Sequence, residues 1–191
     1  FKFNHFGGYS NQDHYLRAFS HLHLVGAGVM DMGIFGVLPK KVDKKPTVPK
    51  DINVVMFKTS EFAEPGYYKV DIEDNITAEL TTTQRAGAHR YTFHGKGTHQ
   101  INVMTGYLLD RTSKRNSTTF NCGSKCLEGS ILVQGGFGGR FGGYTVHFHM
   151  IWISDNSDSV SLFNDSSLDG GLKTAVGNET GAIIITTSSK F

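Results

Sequence analysis

The sequence has little of what marks several protein classes. Its 19 Lys and Arg residues against 17 Asp and Glu residues leave a formal net charge of +2, which is too small for the basic surface that binds phosphate backbones. No stretch approaches the roughly 18 consecutive apolar residues that cross a bilayer. No long window sustains the 3.6-residue apolar period of a helix. We therefore expect no nucleic-acid partner, no membrane span and little helix.

Cysteine is also scarce, with only Cys122 and Cys126 in the turn-rich string NCGSKCLEG. A zinc site would need two more soft ligands close by in sequence, and none are there. The short spacing instead predicts a small disulfide, formed in an oxidising compartment.

Four sequons of the form N-x-[ST] begin at Asn75, Asn116, Asn164 and Asn178, each in a polar or turn-like setting. Such sites accept bulky glycans on exposed segments. They indicate a glycoprotein of the eukaryotic secretory route, either secreted and extracellular or lysosomal. Since the first residue is Phe1 rather than Met, we expect a processed N-terminus or a piece of a longer chain.

The sequence is rich in short segments that have the pattern of β-strands and alternate with turn residues. Between Tyr67 and Thr105 the segments YYKVDI, ITAELTTT, AHRYTF and HQINVMT are separated by the turn strings EDN, QRAG and HGKG, which predicts an antiparallel meander. The runs TVHFHMIWIS and GAIIITTSS predict two further strands. We expect an all-β fold: one large antiparallel β-sandwich domain over residues 1–191, with two sheets that bury alternate side chains against each other.

Two stretches interrupt this pattern. The lysine- and proline-rich string PKKVDKKPTVPKD, residues 39–51, cannot be a central strand and predicts an exposed connection, either merely solvated or attractive to an anionic partner. The string GGFGGRFGGY, residues 135–144, has no following helix that could present amides to a phosphate, so it predicts a glycine-hinged strand entry.

Two histidine pairs stand out, His21 and His23 in FSHLHLV and His147 and His149 in TVHFHMIW. On a strand, residues two apart share a face. The pairs could ligate one zinc ion if their strands were neighbours, or they could be ordinary histidines bonded to backbone. A third reading is sugar recognition, because neutral imidazole both donates and accepts hydrogen bonds.

Catalytic motifs are not apparent. Carboxylates are scattered along the chain, and spacing in sequence cannot show the opposed pair that glycoside hydrolysis needs. Ser20 lies beside His21 but has no G-x-S-x-G context between strand and helix, so an acyl-transfer triad has no support.

Longer strings resemble one enzyme family. AFSHLHLVGAGVMDMG is similar to the G-F-S-H-T-H-L-S-G-x-G-x-x-D-x-G signature of family 92 of the glycoside hydrolases, which are exo-acting and largely α-mannosidases. EPGYYKVDIEDNITAELTTTQRAGAHRYTF resembles the same family's P-G-Y-Y-x-V segment running into A-E-L-T-x-T-x-R-x-G-x-H-R-Y-x-F, and GRFGGYTVHFHM resembles its later glycine-arginine strand. The three matches follow the family's order and span most of the chain.

The resemblance implies an N-terminal β-sandwich that is followed, in complete members, by a helical (α/α) toroid. The catalytic acid and base and the calcium ligands come mainly from that toroid, which this sequence lacks. His21, His23 and Asp31 match the signature, so they are implied to shape the sandwich side of a mannose pocket without performing catalysis. Val25 and Ile34 depart from it, where the family often has Ser and Asp.

Three functional hypotheses follow. The chain could be the sandwich part of a secreted, calcium-dependent α-mannosidase, inactive without its helical catalytic domain or a second chain. It could be a stand-alone carbohydrate-binding, lectin-like module. It could also be an extracellular structural or assembly glycoprotein that self-associates. Fold resemblance alone does not separate these three.

Overall fold

The computed structural model describes residues 10–23, 32–42, 45–49, 53–109, 113–155, 157–165, 167–187 and 190–191, and of His23 and Met32 it describes the backbone. The described residues form fifteen strands and one short 3₁₀ helix. The strands are β1 Tyr15–Leu16, β2 Phe19–His23, β3 Met32–Lys41, β4 Val54–Glu64, β5 Tyr67–Ile72, β6 Ile76–Thr82, β7 Gly87–Phe93, β8 His99–Met104, β9 Arg115–Gly123, β10 Cys126–Val133, β11 Tyr144–Ile151, β12 Ser159–Asn164, β13 Ser167–Asp169, β14 Thr174–Gly177 and β15 Thr180–Thr186.

The strands form three antiparallel sheets. A five-stranded sheet has the order β1-β4-β5-β6-β7, a four-stranded sheet has the order β11-β10-β9-β14, and a six-stranded sheet has the order β13-β12-β15-β8-β3-β2. The predicted all-β sandwich is confirmed, although the strands divide among three sheets rather than the two that were expected. No helix among the described residues has the length and hydropathy of a membrane span.

The main core draws chiefly on the five-stranded and six-stranded sheets, with Leu127 and Ala175 added from the four-stranded sheet. Fully buried side chains such as Ile72 and Tyr91 from the first sheet share one cluster with Ile101 and Ile184 from the second. A smaller cluster, which includes Ile34, Phe35 and Ile131, attaches the four-stranded sheet to strand β3. Burial alternates along strands such as β7 and β9, because successive side chains face opposite sides of a sheet. Strands β8 and β15 are instead buried along almost their whole length.

The predicted meander is right for three strands and wrong for the fourth. Strands β5, β6 and β7 pair consecutively, but β8 leaves them and inserts between β15 and β3. The physical reason is burial on both faces: Ile101 and Val103 lie in the core, while Gln100 and Asn102 are also buried. Strand β7 alternates between exposed and buried residues, so a strand extending the meander beside it would leave one face exposed, whereas β8 is covered on both faces.

The lysine- and proline-rich string is only partly the exposed connection that was predicted. Strand β3 continues through Pro39 to Lys41, paired with β8, so the expectation that this segment avoids a central strand is wrong at its start. Pairing with β2 extends no further along β3 than Val37, opposite Phe19. Beyond that point no described strand pairs with the second side of β3, so the missing N–H of Pro39 costs no ladder bond there.

The glycine-rich string between β10 and β11 folds as a short 3₁₀ helix, Gly138–Phe141. It ends at Gly142 and Gly143, whose φ angles of 88° and 92° suit glycine, and β11 begins at the next residue. The predicted glycine-hinged strand entry is therefore observed, and the helix is too short to serve as an anion site.

The predicted disulfide is confirmed. Cys122 and Cys126 are bonded across the turn between β9 and β10, with Cα atoms 5.2 Å apart. This separation lies in the range that natural disulfides favour.

Candidate functional site

The backbone is distorted where strand β2 carries the first predicted histidine. The register between β2 and β3 shifts between Ser20 and His21. Two bulky residues beside the shift, Leu22 and Phe35, have positive φ angles of 55° and 54°. Bulky side chains rarely occupy this left-handed region, and such strained residues cluster at functional sites. Directly after the register shift, the His21 imidazole contacts strand β7 of the neighbouring sheet.

His21 lies against a second histidine. Its ring stacks on that of His89 from strand β7, with ring centroids 5.1 Å apart and planes within 4° of parallel. The Nδ1–H of His21 donates to the Phe35 carbonyl at 3.0 Å, and its Nε2 lies 3.3 Å from the position that a Cβ on Gly87 would occupy. The absence of a side chain at Gly87 thus leaves room for the ring.

His89 is held in turn by Tyr91. Its Nδ1 lies 2.8 Å from the Tyr91 hydroxyl, and the ring of Phe19 meets it edge-on at 6.1 Å. Burial, and to a smaller extent the nearby His21, lowers the pKa of His89 to about 4. Near neutral pH this imidazole is uncharged, so it offers one donor and one acceptor. We call His21, His89 and Tyr91 the histidine stack.

Sequence reasoning missed His89. The residue lies within the string AHRYTF, which was assigned to a strand and to the family resemblance but given no role. The available signal was the family pattern itself, whose G-x-H-R-Y string has a histidine at this position.

Other residues predicted for the sugar site lie largely outside the described residues. This is true of Asp31 and of the side chain of His23, so their roles and the shared face of His21 and His23 stay predictions. Val25, which departs from the family signature, also lies outside the described residues. Ile34, which departs from the family signature, is fully buried in the smaller core cluster.

The second histidine pair lies elsewhere. His147 and His149 are both exposed on β11, in the four-stranded sheet, and His149 Nδ1 lies 3.0 Å from Glu128 Oε1. His21 faces β7 instead. Among the described side chains, the two histidine pairs do not combine into a metal site.

Two concave surfaces hold one carboxylate each. A small cavity of about 40 Å³ includes Glu179, whose carboxylate pairs with the Arg115 guanidinium. An open depression of about 550 Å³ on the four-stranded sheet includes Glu128, together with Phe120, His147 and His149. Hydrolysis of a glycosidic bond uses two opposed carboxylates, and neither surface supplies a pair.

The sequons occupy peripheral positions. Asn75 and Asn178 are exposed in turns, Asn116 is exposed on strand β9, and Asn164 is half-buried at the end of β12. The glycans themselves stay a prediction.

The chain matches a known family almost end to end. Residues 2–187 correspond to the Glycosyl hydrolase family 92 N-terminal domain. The chain belongs to this family. The expected resemblance is thereby confirmed at the level of the domain.

Individual relatives are distant. An uncharacterized secreted glycosidase from Arthroderma benhamiae is 26% identical over 118 residues, which are 59% of this chain and 15% of that protein. The family GH92 α-mannosidase BT3965 from Bacteroides thetaiotaomicron has a TM-score of 0.71 at 19% identity, covering 95% of this chain and 28% of the other. The GH92 family glycosyl hydrolase ccman5 also has a TM-score of 0.71, at 22% identity, covering 95% of this chain and 25% of the other.

These likenesses establish a shared fold. The shared part is only a portion of each relative, because this chain spans between about a seventh and a little over a quarter of those proteins' own lengths.

Proposed function

We propose that this chain is the non-catalytic sandwich part of a secreted, α-mannosidase-like glycosidase of family 92, and that it forms one wall of a mannose-type glycan pocket. A helical catalytic domain, in the same polypeptide or as a second chain, supplies the groups that break the glycosidic bond. The relatives named as α-mannosidases and as a secreted glycosidase support this assignment.

The observation that carries the proposal is the histidine stack at a strained backbone. His21 belongs to the family signature, and the positive φ angles of Leu22 and Phe35 lie beside it. Core filling alone does not require two bulky residues in the left-handed region, whereas a binding site justifies the cost of about 1–3 kcal/mol for each. Imidazoles provide the mixed donors and acceptors that sugar hydroxyls need.

The two concave surfaces formed by the described residues are compatible with a role in holding a sugar. Neither concave surface among the described residues places two carboxylates together. A sandwich without a catalytic pair can orient and hold a sugar ring but cannot supply both the acid and the base of hydrolysis.

Calcium does not fit the described residues. Ca²⁺ takes six to eight oxygen ligands, many of them carboxylates, and the described residues group no three carboxylates around one point. We derive no step of binding or catalysis through calcium from this chain, and if the complete enzyme uses the ion its ligands come from elsewhere.

Saturation-transfer NMR with α-methyl mannoside tests the proposed pocket wall. The chain should give a transfer signal that His21→Ala reduces strongly and that His147→Ala leaves unchanged, because His147 lies on a different sheet. In parallel, neither the chain nor its variants should release nitrophenol from a nitrophenyl α-mannoside, with or without calcium. Turnover by the chain, or a signal indifferent to His21, would contradict the proposal.

The lectin-like alternative has its own supporting observation. The depression on the four-stranded sheet combines an exposed aromatic ring, Phe120, with the polar groups of Glu128, His147 and Ser130, a composition suited to sugar binding. The same NMR experiment separates the two: a transfer signal lost in His147→Ala and retained in His21→Ala would favour a sugar site in this depression.

A further inference from the structure

The disulfide has a third potential metal ligand beside it. Cys122 lies on β9, Cys126 on β10 and His149 on β11, and one ligand atom from each falls within 4.8 Å of the others. The register explains the meeting: β10 and β11 pair with Cys126 opposite Ile151 and Glu128 opposite His149. Sequence inspection excluded zinc because no further soft ligand follows the cysteines closely, but the sheet brings one from the neighbouring strand.

The donor set is soft. Two thiolates and an imidazole suit Zn²⁺ and are poor ligands for Ca²⁺ or Mg²⁺. In the disulfide form the sulfurs are bonded to each other and offer no thiolate. In the dithiol form both become available, and three protein ligands with water in the fourth position are a familiar zinc arrangement.

Glu128 completes the arrangement from the adjacent strand. Its Oε1 lies 3.0 Å from His149 Nδ1, the contact by which carboxylates fix the orientation of ligating imidazoles and raise their basicity. With Nδ1 held in this way, Nε2 is the nitrogen left to bind a metal.

The site is accessible. Both cysteines are half-buried, and the side chains of His149 and Glu128 are 59% and 50% exposed. A reductant and a metal ion can therefore reach the sulfurs from solvent without the sheet opening.

We propose that Cys122, Cys126 and His149 form a redox-gated site for a soft divalent metal ion, Zn²⁺ being the best match. A dithiol reductant transfers two electrons and two protons to the disulfide and becomes a disulfide itself. Zn²⁺ then displaces the two thiol protons to solvent and binds both thiolates and the imidazole. A disulfide oxidant reverses the exchange: it takes two electrons from the two thiolates and two protons from solvent and becomes a dithiol, and the re-formed Cys122–Cys126 disulfide releases Zn²⁺.

Cobalt provides a spectroscopic test. The 191-residue chain is reduced with a phosphine, which ligates metals weakly under these conditions, and titrated with Co²⁺ without oxygen. One equivalent should produce an intense near-ultraviolet thiolate-to-cobalt band, and one equivalent of Zn²⁺ should abolish it. The oxidised chain should give no such band.

Variants identify the ligands. His149→Ala should weaken the metal affinity of the reduced chain at least tenfold, and Cys122→Ser should weaken it further. His147→Ala, two residues away on the same exposed face, is the matched control and should bind as the parent does. Circular dichroism checks that each variant keeps its strand content.

Two results would overturn the proposal. Failure of the reduced parent chain to give the cobalt band at stoichiometric metal would show that the thiolates do not bind. Equal affinity in His149→Ala and the parent would show that the imidazole is not a ligand. Both readouts are independent of sugar binding, so they are unaffected by the fate of the proposed pocket wall.

Discussion

His21 and His89 stack in parallel, with ring centroids 5.1 Å apart, and they join the edge strand β2 of one sheet to the edge strand β7 of another. Backbone of the last residue also covers β7, because Tyr91 and Phe191 exchange backbone hydrogen bonds. Here the side chains meet across the gap, and the Tyr91 hydroxyl beneath them holds His89 in place. The same contact that closes this side of the sandwich positions the residue proposed to face a sugar.

Stability should depend on pH through His89. Burial lowers its pKa in the folded chain to about 4, whereas an unfolded histidine titrates near 6.5. Between these values the unfolded state binds a proton that the folded state does not, so the free energy of unfolding falls as the pH is lowered from about 6.5 to 4. The loss should be at most about 3 kcal/mol.

Urea denaturation at several pH values measures this loss. His89→Gln keeps a polar group for the Tyr91 hydroxyl but does not titrate, so it should flatten the slope of stability against pH in that window. His147→Gln, which removes an exposed histidine from a different sheet, is the control and should keep the parent slope. Burial also lowers the pKa of His99, so a residual slope of the same sign should persist in His89→Gln. An undiminished slope in that variant would contradict the assignment.

Much of the secondary structure could be predicted because local alternation and turn residues determine it. Strands β5, β6 and β7 match the expected segments, and the spacing of Cys122 and Cys126 together with the sequons predicts the disulfide that is observed. The assignment of strands to sheets could not be read in the same way. Whether β8 continues the meander or crosses to another sheet depends on what covers its second face, and that cover comes from distant parts of the chain.

The sites show the same limit. The family signature identifies His21, but its partner His89 lies on a strand of another sheet. His149 lies near the disulfide only because β10 and β11 pair in a particular register. In the sequence Pro39 predicts the absence of a central strand, and nothing local reveals that β3 continues beyond its pairing with β2. Long-range pairing is what a single sequence leaves open.

Close packing of strand β15 should make Gly181 intolerant of substitution. A Cβ there would lie 2.1 Å from the Val103 carbonyl oxygen and 2.6 Å from Phe163 Cζ, and backbone atoms of a central sheet cannot shift freely. Gly181→Ala should destabilise the fold by about 3 kcal/mol, the upper part of the range for overpacking. Thermal unfolding measures it. Gly95→Ala, where no atom lies within 4 Å of the added Cβ, should change stability by about 0.5 kcal/mol or less.

Buried amides should hold the connection after β3. The Gln100 side chain donates to the Thr47 carbonyl at 3.0 Å and accepts from the Thr47 N–H at 3.4 Å. Gln100→Leu removes both bonds, each of which contributes about 1 kcal/mol, so amide exchange at Thr47 should speed up about tenfold or more. Hydrogen-exchange NMR measures this rate. Gln84→Leu alters an exposed glutamine and should leave it unchanged; equal rates in parent and Gln100→Leu would rule out the anchor.

Glycosylation should follow the sequons when the chain is produced through a eukaryotic secretory pathway. At least two of the four asparagines should carry glycans, because bulky sugars are tolerated on exposed segments, and Asn75 and Asn178 lie in exposed turns. Treatment with an amidase that strips N-glycans should lower the intact mass by kilodaltons. An unchanged mass would remove the support that the sequons give to a secretory origin.

The last prediction separates sugar recognition from core filling at His21. His21→Phe keeps an aromatic ring to stack on His89 but removes the donor to the Phe35 carbonyl and every hydrogen bond to a ligand. Because the ring is only half-buried and the stack persists, the melting temperature should stay within a few degrees of the parent value. Binding of α-methyl mannoside should weaken by about 1–3 kcal/mol, the range for a lost buried hydrogen bond. Scanning and titration calorimetry measure the two effects on the same samples. A large fall in melting temperature with unchanged sugar affinity would mean that the imidazole serves the fold and that the sugar, if bound, lies elsewhere.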